Sequence, residues 1–395
     1  MRRGLAAAIT FVAMLSLAPG VMAQGDTISV SADGSADHET IGTAIEAAAA
    51  GDVILIAPGE YAENLVIDKP ITLRGAGERD EVIVSPGVGM PARRDVPDTD
   101  EPIVTHVFVD GVDATIENLS LVDDDERIQA GLMLTGGEPV IRDVVSPRII
   151  GVNGDIDATI EGSDLGRIIL MGADATMTAR DNSISDGLIV GMGSTAVVEG
   201  NLIIDWPIDV VDAAHLVATG NTFRPAEGAH AIWHDWAGGS VTAIDNVIEG
   251  GFIGIEVQHA DELHLEGNSI TGAEHGINVV ESGGVIRDNT ITDSVEEGIL
   301  VSGNGTVVED NAVVGGRIGI ISSVPNGYPP GAPRWDEPSR FTGNDVRGAS
   351  HFGVLINDAA PLISGNTICA GREPLKLEGK ASPQLGTNEI CEVEG

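Results

Sequence analysis

One residue recurs at a spacing that few folds tolerate. Asparagines stand at Asn182, Asn201, Asn221, Asn246, Asn268, Asn289, Asn311, Asn344, Asn366 and Asn388, most of them about 22 residues apart. Between them run short alternating apolar phrases split by Gly, Asn and Asp, several of them opening on glycine. Examples are Gly254-Ile255-Glu256-Val257, Gly276-Ile277-Asn278-Val279 and Gly298-Ile299-Leu300-Val301. The apolar runs are too short and too often broken by Gly, Asn and Asp to be helices. The period instead specifies an all-β solenoid in which each coil adds short parallel strands to the coil before it, about 4.8 Å away. An inward asparagine at the same turn of every coil can bond its own turn and the next asparagine, forming a ladder through the stack. The earliest coils fill the same slot with Leu119, Val144 and Ser163.

A solenoid can be one domain of any length, so residues 24–395 read as a single unit. Residues 1–23 read as a secretory signal. Arg2 and Arg3 form a positive end, Leu5 to Leu17 is apolar, and Val21-Met22-Ala23 fits a small-residue cleavage site. The expectation is an exported protein, periplasmic or extracellular, with no membrane insertion. Cys369 and Cys391 each follow a ladder asparagine by three residues, so they occupy one slot in adjacent coils and are expected to form a disulfide. The formal net charge of −40 opposes nucleic-acid binding, which needs lysine and arginine to displace counterions.

Ahead of the repeats, Thr40 to Ala50 reads as a short helix that covers the open first coil, with Gly51 as its stop. Strands are expected at Val53–Ile56, Leu65–Ile67, Ile71–Leu73 and Val82–Val84. Insertions near 86–106, 222–239 and 323–341, rich in Pro, Gly and charge, should leave the solenoid as loops. Val30 to Arg74, with Gly51-Asp52, Pro58-Gly59, Tyr61 and Ile71-Thr72-Leu73-Arg74, resembles the opening of pectin-lyase-like proteins. The later repeats resemble the generic parallel β-helix repeat. The resemblance implies a right-handed parallel β-helix. It spans pectin methylesterases, polysaccharide lyases and a periplasmic protein tied to copper delivery, and so implies no single reaction.

Aligning the Gly-Ile-x-Val phrases turns Asp209, Glu256 and Asn278 outward and places Asp212, His259 and Glu281 in one slot at the strand end. The 230–236 segment fits two registers. The one adopted buries Ala231 and Trp233, exposes His234 and adds Asp235 to the strand-end column. Asp235, His259 and Glu281 are then the candidate catalytic groups. Trp206, His234, Trp236, Asn278, Tyr328 and Trp335 are the candidate substrate contacts. Asp209, Asp212 and Glu256 are the candidate metal ligands. No motif calls for a cofactor, and calcium is the cation that stacked carboxylates would take. His38, His106, His215, His264 and His351 read as surface or turn residues.

Motifs of the sugar-active families are mostly missing. His275-Gly276 and Arg317-Ile318 echo two pieces of the polygalacturonase pattern, but no Asp-Asp pair lies between them. The leading expectation is therefore an exported β-helix that binds a polysaccharide or cell-envelope partner across the Asp209–Glu281 coils, beside the Tyr328–Trp335 loop. The alternatives are a polysaccharide lyase, hydrolase or epimerase, and a periplasmic accessory protein for metal delivery. The chain leaves its oligomeric state open.

Overall fold

A computed structural model describes residues 25–87, 93–94, 102–122, 127–235, 238–303, 305–324 and 337–391. Each coil contributes up to three strands, and each strand pairs in parallel with its counterpart one coil away. The coil at 253–271 shows the plan: Ile253–Gln258 in a first stack, Glu262–Glu266 in a second and Ser269–Thr271 in a third. Their partners one coil on are His275–Val280, Gly284–Arg287 and Thr290–Thr292. The interior is a continuous column of aliphatic side chains. Ile255, Val257, Leu265 and Ile270 are fully buried, as are Ile277, Val279, Ile286 and Ile291 above them. Burial of such methylenes is the main favourable term in the fold.

The asparagine ladder runs between the second and third stacks from Asn182 to Asn388. Asn268 Oδ1 accepts from both the N–H and the Nδ2 of Asn246, at 3.1 and 2.9 Å. Asn268 in turn donates both groups to Asn289 Oδ1. Its Nδ2 also donates to Ala243 O, at 2.8 Å. Below the ladder, Ser163 Oγ accepts from Val144 N, and Ser163 N donates to Asn182 Oδ1. Buried polar backbone is thus satisfied at every turn, which is what the recurring asparagine is for. At the far end Cys369 and Cys391 form the disulfide expected between adjacent coils, with 4.8 Å between Cα atoms.

The helix α1 (Ile41–Ala47) buries Ile41, Ala44 and Ile45. It is shorter than the segment expected to end at Gly51. The chain is already extended at Ala48, and Lys69 Nζ donates to Ile45 O, Glu46 O and Ala48 O at the helix end. The insertions are narrower than 86–106, 222–239 and 323–341. Ile103–Asp110, Thr222–Pro225, Ile232–His234 and Arg340–Thr342 are strands, because each coil must extend its stacks to satisfy the coil below. His106, expected as a surface or turn residue, lies in the strand Ile103–Asp110 and is fully buried, and its Nε2 donates to Glu63 O at 3.0 Å. Residues 1–23, together with Trp236, Tyr328 and Trp335, lie outside the described residues.

Candidate functional site

The outward face of the first stack carries one column that can be followed from coil to coil. In register it reads Val66, Phe108, Met133, Gly151, Ile169, Ile189, Asp209, Trp233, Glu256, Asn278, Leu300, Ile321, Leu355 and Lys376. It is apolar below Asp209 and again from Leu300 to Leu355. Across four consecutive coils it is aromatic and polar. Within that window the side-chain atoms Asp209 Oδ1, Trp233 Nε1 and Asn278 Oδ1 are buried and have no hydrogen-bond partner. Buried polar atoms are normally paired, so three orphans in one four-coil window need an explanation.

Around the window lie two imidazole–carboxylate pairs. His230 Nε2 donates to Glu256 Oε2 at 2.8 Å, and His275 Nδ1 lies 2.8 Å from Glu297 Oε1. The Phe252 ring stands between the imidazoles, edge-on to each, at 5.8 and 5.1 Å between centroids. The His230 ring stacks on Trp233 at 5.3 Å. Glu256 Oε1 also accepts from Gln258 Nε2 at 2.7 Å and from Asn278 Nδ2 at 3.1 Å. Burial alone would raise the Glu256 pKa, but the bonds from His230 and Gln258 outweigh it and hold the group below its ordinary 4.5. Asp209 has no such bonds. Burial lifts its pKa from 3.8 to about 6, against the pull of His230 and Arg167. At the border Arg167 lies over the Trp206 ring, 5.4 Å from its centroid, and also pairs with Asp186. Trp206 is 56% exposed.

Glycines fix where this face begins. A Cβ on Gly276 would sit 2.3 Å from the Gly298 carbonyl oxygen and 2.7 Å from Ile291. Only glycine lets the coils approach at that corner. The corner sets the alternation that follows and brings His275 and Glu297 to the rim just before it.

The structure corrects the 230–236 register. Ile232 and His234 face inward and Trp233 outward, because Ile232 and His234 pair with Ile208 and Val210. His234 is fully buried and cannot touch a ligand in this conformation. Its Nδ1 and Nε2 lie 2.9 and 3.0 Å from the carbonyl oxygens of Gln258 and Gly238. Burial, the largest influence, lowers its pKa below 6.5 despite those acceptors. With this register Asp235 leaves the Asp212–His259–Glu281 column, and Trp233 separates Asp209 from Glu256. His259 and Glu281 do share a slot, 3.4 Å apart, both with left-handed backbone. Asp212 is exposed on the same kind of turn. Among the described residues no group of three or more His, Cys, Asp or Glu side chains is gathered to hold a metal ion. His230, Phe252 and Glu297 were not singled out from the sequence as site residues. The position just before each Gly-Ile-x-Val phrase, which holds Ile253, His275 and Glu297, is the pattern that could have marked this rim.

Residues 230–390 match the family model for a right-handed β-helix region. No curated protein matches the sequence. Among solved structures the chain is similar to the periplasmic alginate epimerase AlgG, at 13% identity and a TM-score of 0.41 over 86% of this chain and 77% of that one. It is similar to the catalytic unit of a GH87 α-1,3-glucanase from Streptomyces thermodiastaticus, at 16% identity and a TM-score of 0.38 over 94% and 71%. It is also similar to a pectin methylesterase from Erwinia chrysanthemi, at 15% identity and a TM-score of 0.30 over 61% and 81%.

Proposed function

We propose that this chain, a right-handed parallel β-helix protein of the pectin-lyase-like kind, is an exported protein that binds an extended glycan along the Asp209–Asn278 window. The observation that carries the reading is the set of three unused polar atoms in that window. Asp209 Oδ1 and Asn278 Oδ1 accept hydrogen bonds, and Trp233 Nε1 donates one. A sugar hydroxyl does both. Small side-chain rotations would turn these atoms toward a ligand lying across the coils, whose spacing of about 4.8 Å is of the order of a pyranose length. Trp233, Phe252 and the exposed Trp206 offer faces on which sugar rings rest. The secretory signal read in residues 1–23 and the Cys369–Cys391 disulfide support export.

Asp209, Glu256 and Glu297 make the floor acidic, so it favours a neutral glycan. An acidic polymer would need calcium to bridge it. The test is a polysaccharide panel, with and without Ca²⁺, read by glycan array and calorimetry. A ligand should emerge, and Trp233→Ala and Asn278→Leu should each weaken it about tenfold or more, the cost of losing a stacking face or a buried hydrogen bond. Unchanged affinity in both folded variants would overturn the assignment.

A second reading has its own observation. Two imidazoles, each oriented by a carboxylate, flank one aromatic ring, an arrangement suited to general acid–base catalysis on a bound sugar. Degradation or epimerisation of alginate, pectin or an α-1,3-glucan by the wild type, lost in His230→Ala and His275→Ala, would support it. No product from any polymer that the protein binds would remove it.

A further inference from the structure

Asp209 lacks a positive partner. Its Oδ1 is buried and unbonded. The two basic groups that act on it, His230 and Arg167, are both committed elsewhere. His230 Nε2 lies 2.8 Å from Glu256 Oε2. Arg167 donates from Nε and Nη2 to Asp186, each at 2.9 Å, and lies over the Trp206 ring. Its neighbours in the column, Ile189 and Trp233, bring no charge. Glu256 shows what a satisfied carboxylate on this face looks like: Gln258 and Asn278 donate to one oxygen and His230 to the other. A buried carboxylate without such bonds costs stability until a cation or a proton answers it.

We propose, resting on the glycan reading of this window, that the ligand is an oligosaccharide of amino sugars whose free amines bind as ammonium groups, one of them against Asp209. The unused atoms select this class. Two are acceptors, Asp209 Oδ1 and Asn278 Oδ1, against one donor, Trp233 Nε1. The bond from Asn278 Nδ2 to Glu256 fixes that amide with its oxygen as the free end. An ammonium brings three donors and a charge that a hydroxyl lacks. The hydroxyl and ether oxygens of the same sugar accept from Trp233 Nε1, which a simple polyamine cannot do. Indole faces attract cations as well as sugar rings, as Arg167 over Trp206 already shows. Asp209 and Asn278 stand three coils apart, roughly 14 Å along the axis, so touching both takes an oligomer. The net charge of −40 draws a polycation in from a distance and repels an acidic polymer. Among glycans without negative charge, the cationic ones therefore gain most.

The test is calorimetry on the full chain with a glucosamine tetramer, its fully N-acetylated counterpart and spermine, near neutral pH, at low and physiological salt. The free-amine tetramer should bind about tenfold or more tighter than the acetylated one, the difference that a charge-assisted hydrogen bond makes. Asp209→Asn keeps the size of the side chain and should erase most of that preference, with little change for the acetylated tetramer. Trp233→Ala should weaken both. If the acetylated tetramer binds as well as the free amine and loses affinity in Trp233→Ala, the amino-sugar class is overturned and the glycan reading stands. Binding to neither tetramer overturns the proposal too, and the polysaccharide panel then decides whether the glycan reading survives. Spermine that matches the tetramer, or a preference that survives Asp209→Asn and disappears at physiological salt, reveals only the attraction of a polyanion for any polycation and overturns it as well.

Discussion

Two outward columns run along this solenoid, and they treat polar groups in opposite ways. On the second stack the column alternates in sign: Arg74, Glu117, Arg142, Glu161, Arg180 and Glu199 in successive coils, and later Glu266, Arg287 and Glu309. Several of these charges meet the coil above or below, as Arg142 meets Glu117 at 3.3 Å and Glu161 at 2.5 Å, and Arg287 meets Glu266 at 2.7 Å. On the first stack the window from Asp209 to Asn278 leaves three buried polar atoms unused. Apart from Arg287 Nε, which is buried without a partner, the charged column spends its polar groups on neighbouring coils. The other holds them in reserve, at a cost in stability, which is the pattern of a surface kept for something else.

The largest effect expected from breaking polar pairing lies inside, in the ladder. Asn289→Ala removes the oxygen that accepts from both donors of Asn268, and the donor to Leu265 O. Denaturant unfolding should show a loss of about 3 kcal/mol, the penalty for leaving buried groups unpaired. Glycan binding by the surviving folded fraction should be unchanged.

Asp209→Leu should do the reverse. It continues the apolar column from Ile169 and Ile189 and removes a buried, unpartnered oxygen. Stability at pH 7 should rise by about 1 kcal/mol while ligand affinity falls. A loss of stability would mean that the orphan oxygen is no liability and would weaken the contrast between the columns.

The same carboxylate sets a pH test. Its pKa is raised, so the folded state binds its proton more readily than the unfolded chain does. Its contribution is fully favourable below pH 3.8 and is lost as pH rises through about 6. His234 acts oppositely. Its folded pKa lies below 6.5, so its stabilisation is present above pH 6.5 and declines as pH falls below that value. Comparing Asp209→Leu with the wild type between pH 4 and pH 7 isolates the carboxylate term. The variant's advantage should fall by about 1–2 kcal/mol toward pH 4, after allowing for partial solvent screening, so that it vanishes or reverses sign. A difference that does not change with pH would show that Asp209 is not perturbed.

The smallest effect belongs to the charged column. Arg142 is half exposed, and Arg142→Ala should cost no more than about 0.5 kcal/mol at physiological salt. A larger loss in a thermal melt would mean that the charged column acts as a connected network rather than as separate surface pairs.

How much of this was legible beforehand depended on whether a signal repeats. The coil period, the ladder with its Ser163, Val144 and Leu119 substitutes, and the Cys369–Cys391 pairing are each written many times or tied to a repeated landmark. A local error cannot shift them. Asp209, Glu256 and Asn278 were placed outward by the same logic, and His259 and Glu281 were placed in one slot. The segment 230–236 lacks the glycine of the repeat, having Ala231 in its place, and its alternation admits two phases. Sliding by one residue exchanges His234 for Trp233, because strand side chains alternate with a period of two.

The sequence alone therefore determined the architecture, because a solenoid restates its hydrophobic and turn pattern in every coil. The tertiary structure decided which polar groups find partners. His230 reaches Glu256 across 26 positions, His275 reaches Glu297 across 22, and Phe252 stands between the two imidazoles. Whether a side chain is paired or left over depends on the angle at which one coil lies on the next. That angle comes from the packing of all the coils together, and no local stretch of the chain encodes it.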